Sequence, residues 1–227
     1  MATAYSPKIV TDGLVLCLDA GDGKSYSGSG TAWTDRSGNG NHGTLVNGPT
    51  FNSDGYFGLD GTNDRITSGA KFSGTENGSI YLWCNPTSSN PNAMLAYQST
   101  GVGRIWIFVS SSGVLNLNTY FGSGKDFYLT ASGSNIKDKW GLITVTFDRS
   151  GYQKIYYNGE FLTSRDISTA SSISWNSGYL SLGGFAYNGP SWYTAQNKAA
   201  KFMVYNVEHT SAQILQNYNA TKSRFEL

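Results

Sequence analysis

The feature that most constrains the fold of this chain is a regular alternation of side chains in its second half. In residues 141–147 the apolar side chains fall at every second position, with threonines between them: Ile143, Val145 and Phe147. Residues 148–151 form a turn signal, the alternation resumes over 152–157, and Asn158-Gly159 stands before residues 160–163. Asn-Gly between two such runs is typical of a two-residue type I′ hairpin. This segment therefore predicts a three-stranded antiparallel meander.

The rest of the chain is also rich in short strand-like runs bounded by Gly, Ser, Asn or Pro. Its 28 Gly, 15 Tyr, 11 Phe and 6 Trp suit short strands joined by tight turns. The further candidates are Leu14–Leu18, Tyr56–Leu59, Ser79–Cys84, Met94–Tyr97, Arg104–Val109, Val114–Tyr120, Phe127–Thr130, Tyr179–Leu182 and Lys201–Tyr205. About a dozen short strands need two facing sheets to bury their apolar sides. The sequence predicts an all-β fold, a two-sheet antiparallel β-sandwich or jelly roll.

One short helix is predicted near the C-terminus. Thr210-Ser-Ala-Gln213 has the spacing of a capping box, and Ile214, Leu215 and Tyr218 are expected to follow on one face. A helix this short is expected to form a lid or edge cover for the sandwich. Without a long linker, a charge block or a fixed repeat, we expect one domain over residues 11–221, with an arm at 1–10 and a tail at 222–227.

Charge and hydropathy exclude several classes of partner. The 16 Lys and Arg nearly cancel the 15 Asp and Glu, which leaves no electrostatic footprint for nucleic acid or anionic lipid. The apolar runs are too short for membrane insertion. Residues 1–8 have no apolar core of a signal peptide, so we expect synthesis and folding in the cytosol. Cys17 and Cys84 lie in strand-like runs and are expected to be buried thiols rather than a disulfide.

Several stretches resemble the laminin-G-like branch of the concanavalin A-like lectin/glucanase superfamily. They are Gly13–Ala20, Trp33–Thr44, Leu59–Asp64, Trp140–Gly159, and Lys201–Asn206 with the helix after it. The resemblance spans residues 10–220 and implies a concanavalin A-like jelly roll. The whole arrangement is also similar to small structural proteins of tailed bacteriophages. That likeness implies a virion surface protein made in the host cytoplasm without a signal peptide, with other virion proteins as partners.

The resemblance also raises the question of catalysis, because glucanases share the superfamily. Those relatives carry their catalytic carboxyl groups on one strand in a Glu-x-Asp-x-Glu type motif, which this sequence does not contain. The local acidic pairs, Asp19/Asp22 and Asp60/Asp64, flank Gly-rich turns. The histidines are His42 and His209; with no nucleophile elbow in the sequence, both are expected to be solvated at the surface. The sequence predicts a protein that is not an enzyme.

Two loops carry oxygen-bearing side chains that suggest structural calcium. In the first they recur at every second position: Asp35, Ser37, Asn39 and Asn41. This resembles the ligand spacing of a calcium loop, but Val46 stands where such a loop needs a bidentate Glu. The second loop holds Asp60, Asn63 and Asp64. For both, the alternative is that the side chains shape turns and bind no metal, and apart from calcium no cofactor is expected.

Carbohydrate binding requires aromatic faces beside amide or carboxylate groups, on loops or on a concave sheet. The best local candidate is a Gly/Pro loop that contains Tyr187, Asn188, Trp192 and Tyr193. This loop has two readings, sugar binding and contact with a protein partner. Trp106 and Tyr97 are alternates whose strand positions favour core packing. Core positions are also predicted for three other tryptophans: Trp33, Trp83 and Trp140.

Together these features predict a non-catalytic virion structural protein of a tailed bacteriophage, either a capsid decoration or a tail-associated protein. It would display a lectin-like module toward cell-surface glycans. Attachment to the particle would use the arm, the tail or an edge strand of the sandwich. A homo-oligomer is a further expected partner state. The rival hypotheses are a free-standing lectin and a glycan hydrolase with an unrecognised pair of acids.

Overall fold

The computed structural model describes residues 8–72, 74–87, 93–99, 104–122, 124–174, 178–186, 192–194 and 196–227. The strands of its first half are β1 (Leu14–Asp19), β2 (Ala32–Trp33), β3 (Gly43–Val46), β4 (Thr50–Asn52), β5 (Tyr56–Asp60), β6 (Arg65–Ser68), β7 (Gly78–Pro86), β8 (Ala93–Ser99) and β9 (Arg104–Val109). Those of its second half are β10 (Leu115–Tyr120), β11 (Asp126–Thr130), β12 (Gly141–Phe147), β13 (Tyr152–Tyr157), β14 (Glu160–Asp166), β15 (Ser181–Leu182), β16 (Gly184–Ala186), β17 (Trp192–Thr194) and β18 (Gln196–Tyr205). Helix α1 spans Ser211–Thr221, and short 3₁₀ turns cover Ser168–Ala170 and Lys222–Phe225.

The strands form two large antiparallel sheets, which confirms the predicted β-sandwich of jelly-roll type. The first sheet has the order β14-β13-β12-β7-β18-β5-β4, with β1 also paired to β18. The second sheet has the order β11-β10-β9-β8-β15-β6-β3-β2. Strands β16 and β17 form a separate two-stranded ribbon. The predicted meander is present as β12, β13 and β14, and Asn158 and Gly159 both adopt the positive φ of the predicted hairpin turn.

The main core lies between the two sheets and is built by the inward-facing residue of each alternating pair. Ile143, Val145 and Phe147 belong to it, as the alternation predicts. The second sheet contributes Ile105 and Ile107 from β9, together with residues of β10 and β11. Every second side chain of these strands consequently points away from the core. On the second sheet, these outward side chains make up the outer face of β9, β10 and β11.

Helix α1 covers the outer face of the first sheet. A second apolar cluster joins its Ile214 to outward side chains of the sheet, including Trp83, Leu142 and Tyr205. This confirms the predicted capping box and the covering role of the helix. Leu215, however, is 47% exposed and does not share the buried face, because it lies one residue past the position that contacts the sheet.

Residues 8–10 and the C-terminal segment both pack against this covered face. The backbone amide of Val10 donates to Asn217 Oδ1, and Gln216 Nε2 donates to the carbonyl of Lys8. At the other end, Phe225 stacks on Trp83 with ring centroids 4.1 Å apart. Within the described chain, no helix is long and apolar enough to cross a membrane.

Cys17 and Cys84 are free and buried, as predicted. Burial raises the pKa of Cys17 to about 11 and also raises that of Cys84. Both therefore stay protonated at neutral pH and act as small apolar side chains.

Candidate functional site

The predicted aromatic loop falls largely on residues whose structure is not described. Tyr187 and Asn188 lie outside the described residues. The backbone of Trp192 and Tyr193 belongs to β17, where they pair with Ala186 and Phe185 of β16. The assignment of these four residues to sugar or partner binding therefore stays a prediction.

The first oxygen-rich loop uses its side chains to attach itself to strand β1. Asp35 Oδ1 accepts from the amides of Cys17 and Ser37 at 2.9 Å each, and its Oδ2 accepts from the amide of Asn41 and the hydroxyl of Ser37. Asn41 Nδ2 and Asn39 Nδ2 donate to backbone carbonyls of β1. Asp35 is buried, and both its oxygens are occupied. This geometry favours the turn-shaping alternative.

The second oxygen cluster also closes on its own backbone. Asp60 Oδ1 accepts from the amides of Thr62, Asn63 and Asp64, and Asp64 Oδ2 accepts from the amide of Asp60. The hydrogen bond from Thr62 lowers the pKa of Asp60, whereas burial raises that of Asp64. In the described part of the chain, no three His, Cys, Asp or Glu side chains gather as a metal-binding group.

The two histidines differ in their surroundings. His42 is exposed, as predicted, and its Nδ1 accepts from the amide of Asp35 at 3.1 Å. His209 is 2% exposed, so the prediction that it is solvated was wrong. His209 directly precedes the N-cap of α1. Its Nδ1 contacts the hydroxyl of Tyr81 at 2.7 Å. Burial lowers the pKa of His209.

The outer face of β9, β10 and β11 brings aromatic, amide and charged side chains together. One row across the strands contains Arg104, Tyr120 and Asp126, and the next contains Trp106, Asn118 and Tyr128. A third row pairs Phe108 with Asn116 and Thr130. We call these nine residues the outer β9–β11 face.

Arg104 is the organising residue of this face. Its guanidinium carbon lies 4.3 Å from the centroid of the Trp106 ring and 5.0 Å from that of Tyr120. Its Nε donates to Asn118 Oδ1 at 2.8 Å, and Nη2 lies 3.4 Å from Asp126 Oδ2. Two rings and two acceptors thus hold the arginine in one position, while 23% of its side chain stays exposed. A guanidinium held in this way is a preorganised hydrogen-bond donor.

Of the remaining side chains, Phe108, Asn116 and Asn118 are buried, and the ring that stands most open on this face is that of Tyr128. Asn118 Nδ2 donates to Asp126 Oδ1 at 2.5 Å, and Thr130 Oγ1 donates to Asn116 Oδ1 at 2.9 Å. Tyr128 is 47% exposed, and its ring meets that of Phe108 edge-on at 5.7 Å.

The structure corrects two tryptophan predictions. Trp106 does not pack between the sheets but is partly exposed on the outer β9–β11 face, because its neighbours Ile105 and Ile107 take the inward positions. Trp140 is only partly buried and lines a cleft beside the C-terminal segment. Trp33 and Trp83 are fully buried, as predicted, although Trp83 lies under α1 and not between the sheets.

That cleft has a volume of about 420 Å³ and is lined by Asp54, Tyr56, Trp140, Arg224, Phe225 and Glu226. These residues are far apart in the sequence, so no local motif could have indicated the cleft. It is a separate feature from the outer β9–β11 face, since β5 belongs to the first sheet.

Comparisons with known proteins agree with the fold. The sequence matches the concanavalin A-like lectin/glucanases superfamily over residues 60–215. No curated protein matches the chain. Among solved structures, it is similar to the receptor-binding domain of botulinum neurotoxin D, with a TM-score of 0.71, 18% identity, and coverage of 92% of this chain and 52% of that one.

Two further structures show the same likeness. The botulinum neurotoxin serotype D ligand-binding domain in complex with N-acetylneuraminic acid has a TM-score of 0.70 and 18% identity, covering 93% of this chain and 52% of that one. For the binding domain of Paraclostridial Mosquitocidal Protein 1 the values are 0.70, 17%, 92% and 52%. The chain thus spans about half the length of these structures, and identities this low show a shared fold alone.

Proposed function

The chain belongs to the concanavalin A-like lectin/glucanases superfamily, and on that premise we propose that it is a non-catalytic carbohydrate-binding module. Its glycan would lie across the outer β9–β11 face. The fold alone does not select this function, because the superfamily contains both lectins and glucanases. The proposal therefore depends on the site.

The observation that carries the proposal is the placement of Arg104 between Trp106 and Tyr120, beside Asn118 and Asp126. Sugar rings stack their C–H faces on aromatic side chains, and their hydroxyls need donors and acceptors in fixed positions. Here the donor and acceptor that reach solvent are Arg104 and Asp126, and the buried Asn118 bonds to both and fixes them before a ligand arrives. This reduces the entropy that binding must remove. The solved domains with this fold are named as receptor-binding or ligand-binding domains, which supports a binding role.

A catalytic alternative is disfavoured by the acidic groups at this face. Glycoside hydrolysis uses two carboxyl groups that flank the scissile bond, one of them kept protonated by an apolar pocket. On the outer β9–β11 face, Asp126 supplies one carboxylate, and it is half exposed beside Arg104. We expect incubation with bacterial surface polysaccharides to release no reducing sugar. Release that is abolished by Asp126→Asn would overturn the assignment as a binding module.

A glycan array tests the binding proposal with a matched pair of variants. Tyr128 and Tyr152 are equally exposed, at 47% and 48%, but Tyr152 lies on β13 of the first sheet. Tyr128→Ala should weaken a specific signal about ten-fold or more, as loss of a stacking ring does, whereas Tyr152→Ala should leave it unchanged. Sialylated glycans belong on the array, since one similar structure was determined with N-acetylneuraminic acid.

The array also separates this face from the loop predicted from sequence. Trp106→Ala should abolish the signal, and Trp192→Ala should not. If Trp192→Ala alone removes binding, the glycan lies on the loop and the proposed face is wrong. If the wild-type protein gives no signal on a broad array, the carbohydrate-binding function itself fails.

For the biological setting, we propose display on the particle of a tailed bacteriophage, as a capsid decoration or a tail-associated protein. This setting rests on the resemblance inferred from the sequence. Mass spectrometry of purified particles should detect the chain in a fixed ratio to the major capsid or tail protein. Particles that lack it would exclude this setting while leaving the binding proposal intact.

A further inference from the structure

The cleft beside the C-terminal segment differs in chemistry from the outer β9–β11 face. Three aromatic residues line it: the ring centroids of Tyr56 and Trp140 are 5.5 Å apart, and those of Trp140 and Phe225 are 5.1 Å apart. Its volume of about 420 Å³ is in the usual range for small-molecule sites. The three rings come from β5, from the turn before β12 and from the last 3₁₀ turn.

Among the described residues, Arg224 is the one basic residue that lines the cleft, and the protein already engages it. Its Nη1 forms an ion pair with Asp19, and its Nη2 donates to the carbonyl of Gly55. A Cβ on Gly21 would collide with the same guanidinium, so the backbone is fitted closely around it. Arg224 therefore acts as a wall of the cleft and is not free to bind a ligand anion.

The charged groups of this lining that remain for a ligand are both carboxylates. Asp54 and Glu226 are exposed, and within the described residues neither side chain is in a hydrogen bond or an ion pair. Aromatic faces and carboxylates are both attractive to positive charge. The protein itself shows this at one of the three rings, since Lys198 Nζ lies 5.4 Å from the centroid of the Tyr56 ring.

We propose that this cleft is a second binding site, and that it takes an organic cation with an alkylammonium group. The ammonium would lie against Tyr56 and Trp140, with Asp54 and Glu226 neutralising its charge. A headgroup of this kind fills only part of the volume, which leaves room for the chain or sugar that carries it. The inference does not rest on the proposed glycan site, because no residue is shared between the two.

Calorimetric titration of the full chain with choline and with glucosamine tests the proposal, and N-acetylglucosamine is the uncharged control for glucosamine. We expect choline or glucosamine to bind and N-acetylglucosamine not to bind. Binding of choline alone would assign the site to methylated ammonium groups, and binding of glucosamine alone would assign it to amino sugars. Binding of all three with equal affinity, or of none, would overturn the proposal.

Variants at exposed positions keep the test independent of folding. Asp54→Asn with Glu226→Gln should weaken binding of the cation about ten-fold, whereas Glu160→Gln, at an exposed acid on β14 outside both sites, should not change it. Lys198→Met removes a competing positive charge and should tighten binding a few-fold. Weaker binding by Lys198→Met, or an unchanged affinity in the double variant, would show that charge does not select the ligand of this cleft.

Discussion

At the scale of single residues, the environment of His209 could not be derived from its sequence neighbourhood. The residue stands between a strand and a helix N-cap, a position that usually faces solvent, but α1 folds back over it. Its Nδ1 contacts the Tyr81 hydroxyl, and burial lowers its pKa below 6.5 even though Asp12 opposes the shift. Folded and unfolded chains therefore differ in proton binding at mildly acidic pH.

This difference predicts a pH dependence of stability. The unfolded chain takes up a proton near pH 6.5 and the folded protein only at lower pH, so the stabilisation is complete above 6.5 and is lost as the pH falls through the folded-state pKa. The melting temperature should fall between pH 7 and 5, and His209→Gln should flatten this part of the profile. His42→Gln is the matched control at the exposed histidine. An unaltered slope in His209→Gln would contradict the assignment.

Asp19 should also make the free energy of unfolding depend on pH, but in a more acidic range than His209. Burial alone would raise its pKa, but the charges of Lys201 and Arg224 outweigh that effect and hold it below 3.8. The stabilisation by this ion-paired carboxylate is thus present above about pH 4 and is lost as the pH falls through the folded-state pKa. Asp19→Asn should cost about 3 kcal/mol at neutral pH, because two partly buried cations lose their partner. It should also reduce the acid-induced loss of stability.

The control for Asp19 is Asp22, whose ion pair with Arg36 is 3.3 Å long and about 40% exposed on both sides. Asp22→Asn should change the free energy of unfolding by less than about 1 kcal/mol. Urea titrations at pH 7 and pH 3 compare the two variants. Equal effects at the two sites would show that burial does not strengthen the Asp19 pair.

At the scale of secondary-structure elements, the strength of the local signal decided what the sequence could predict. The meander was placed closely because alternation and an Asn-Gly turn act together at β12 to β14. The sequence does not predict strands β2, β3, β4 and β6, because they have only two to four residues each, too few for a period to show. The sequence does not predict residues 196–200 of β18. This half of the strand begins with polar residues, and its pairing partner β5 is more than 130 residues earlier in the chain, so no local pattern marks it as a strand.

The helix is an element whose N-terminus can be tested directly. Thr210 Oγ1 accepts from the amide of Gln213 at 3.3 Å, and Gln213 Oε1 accepts from the amide of Thr210 at 2.9 Å. Thr210→Ala should lower the free energy of unfolding by about 1 kcal/mol, and Thr210→Ser should preserve most of it. Urea denaturation of both variants measures this. Equal losses would mean that the threonine methyl, and not the cap hydroxyl, stabilises α1.

At the scale of the whole molecule, the outer β9–β11 face could be predicted in part from the sequence, whereas the cleft beside the C-terminal segment could not. In Arg104–Val109 the side chain of Trp106 falls on the opposite face of the strand from Ile105 and Ile107. Because two isoleucines favour the core, the two-residue period alone predicts Trp106 on the outer face. The cleft offers no such signal. Tyr56, Trp140 and Phe225 meet only because the C-terminal segment folds onto the first sheet, and that contact depends on the complete topology.

The two sheets are joined by an apolar core and by a buried glutamine. Gln153 on β13 of the first sheet is fully buried, and its Oε1 accepts from the hydroxyl of Thr119 on β10 at 2.6 Å. Its Nε2 donates to the carbonyl of Phe127 on β11 at 3.2 Å. An alternating strand pattern predicts an apolar side chain at this inward position, so the exception is informative. The hydrogen bonds fix how one sheet is placed over the other.

Replacement of this glutamine should therefore show coupling across the sandwich. Gln153→Leu keeps the approximate volume but leaves the Thr119 hydroxyl buried without its acceptor, which should cost about 2 kcal/mol. Adding Thr119→Val removes the unsatisfied hydroxyl, so the double variant should be more stable than Gln153→Leu alone by about 1 kcal/mol. Urea unfolding of the two single variants and the double variant provides the cycle. Strictly additive losses would mean that the two side chains act independently and that apolar packing alone positions the sheets.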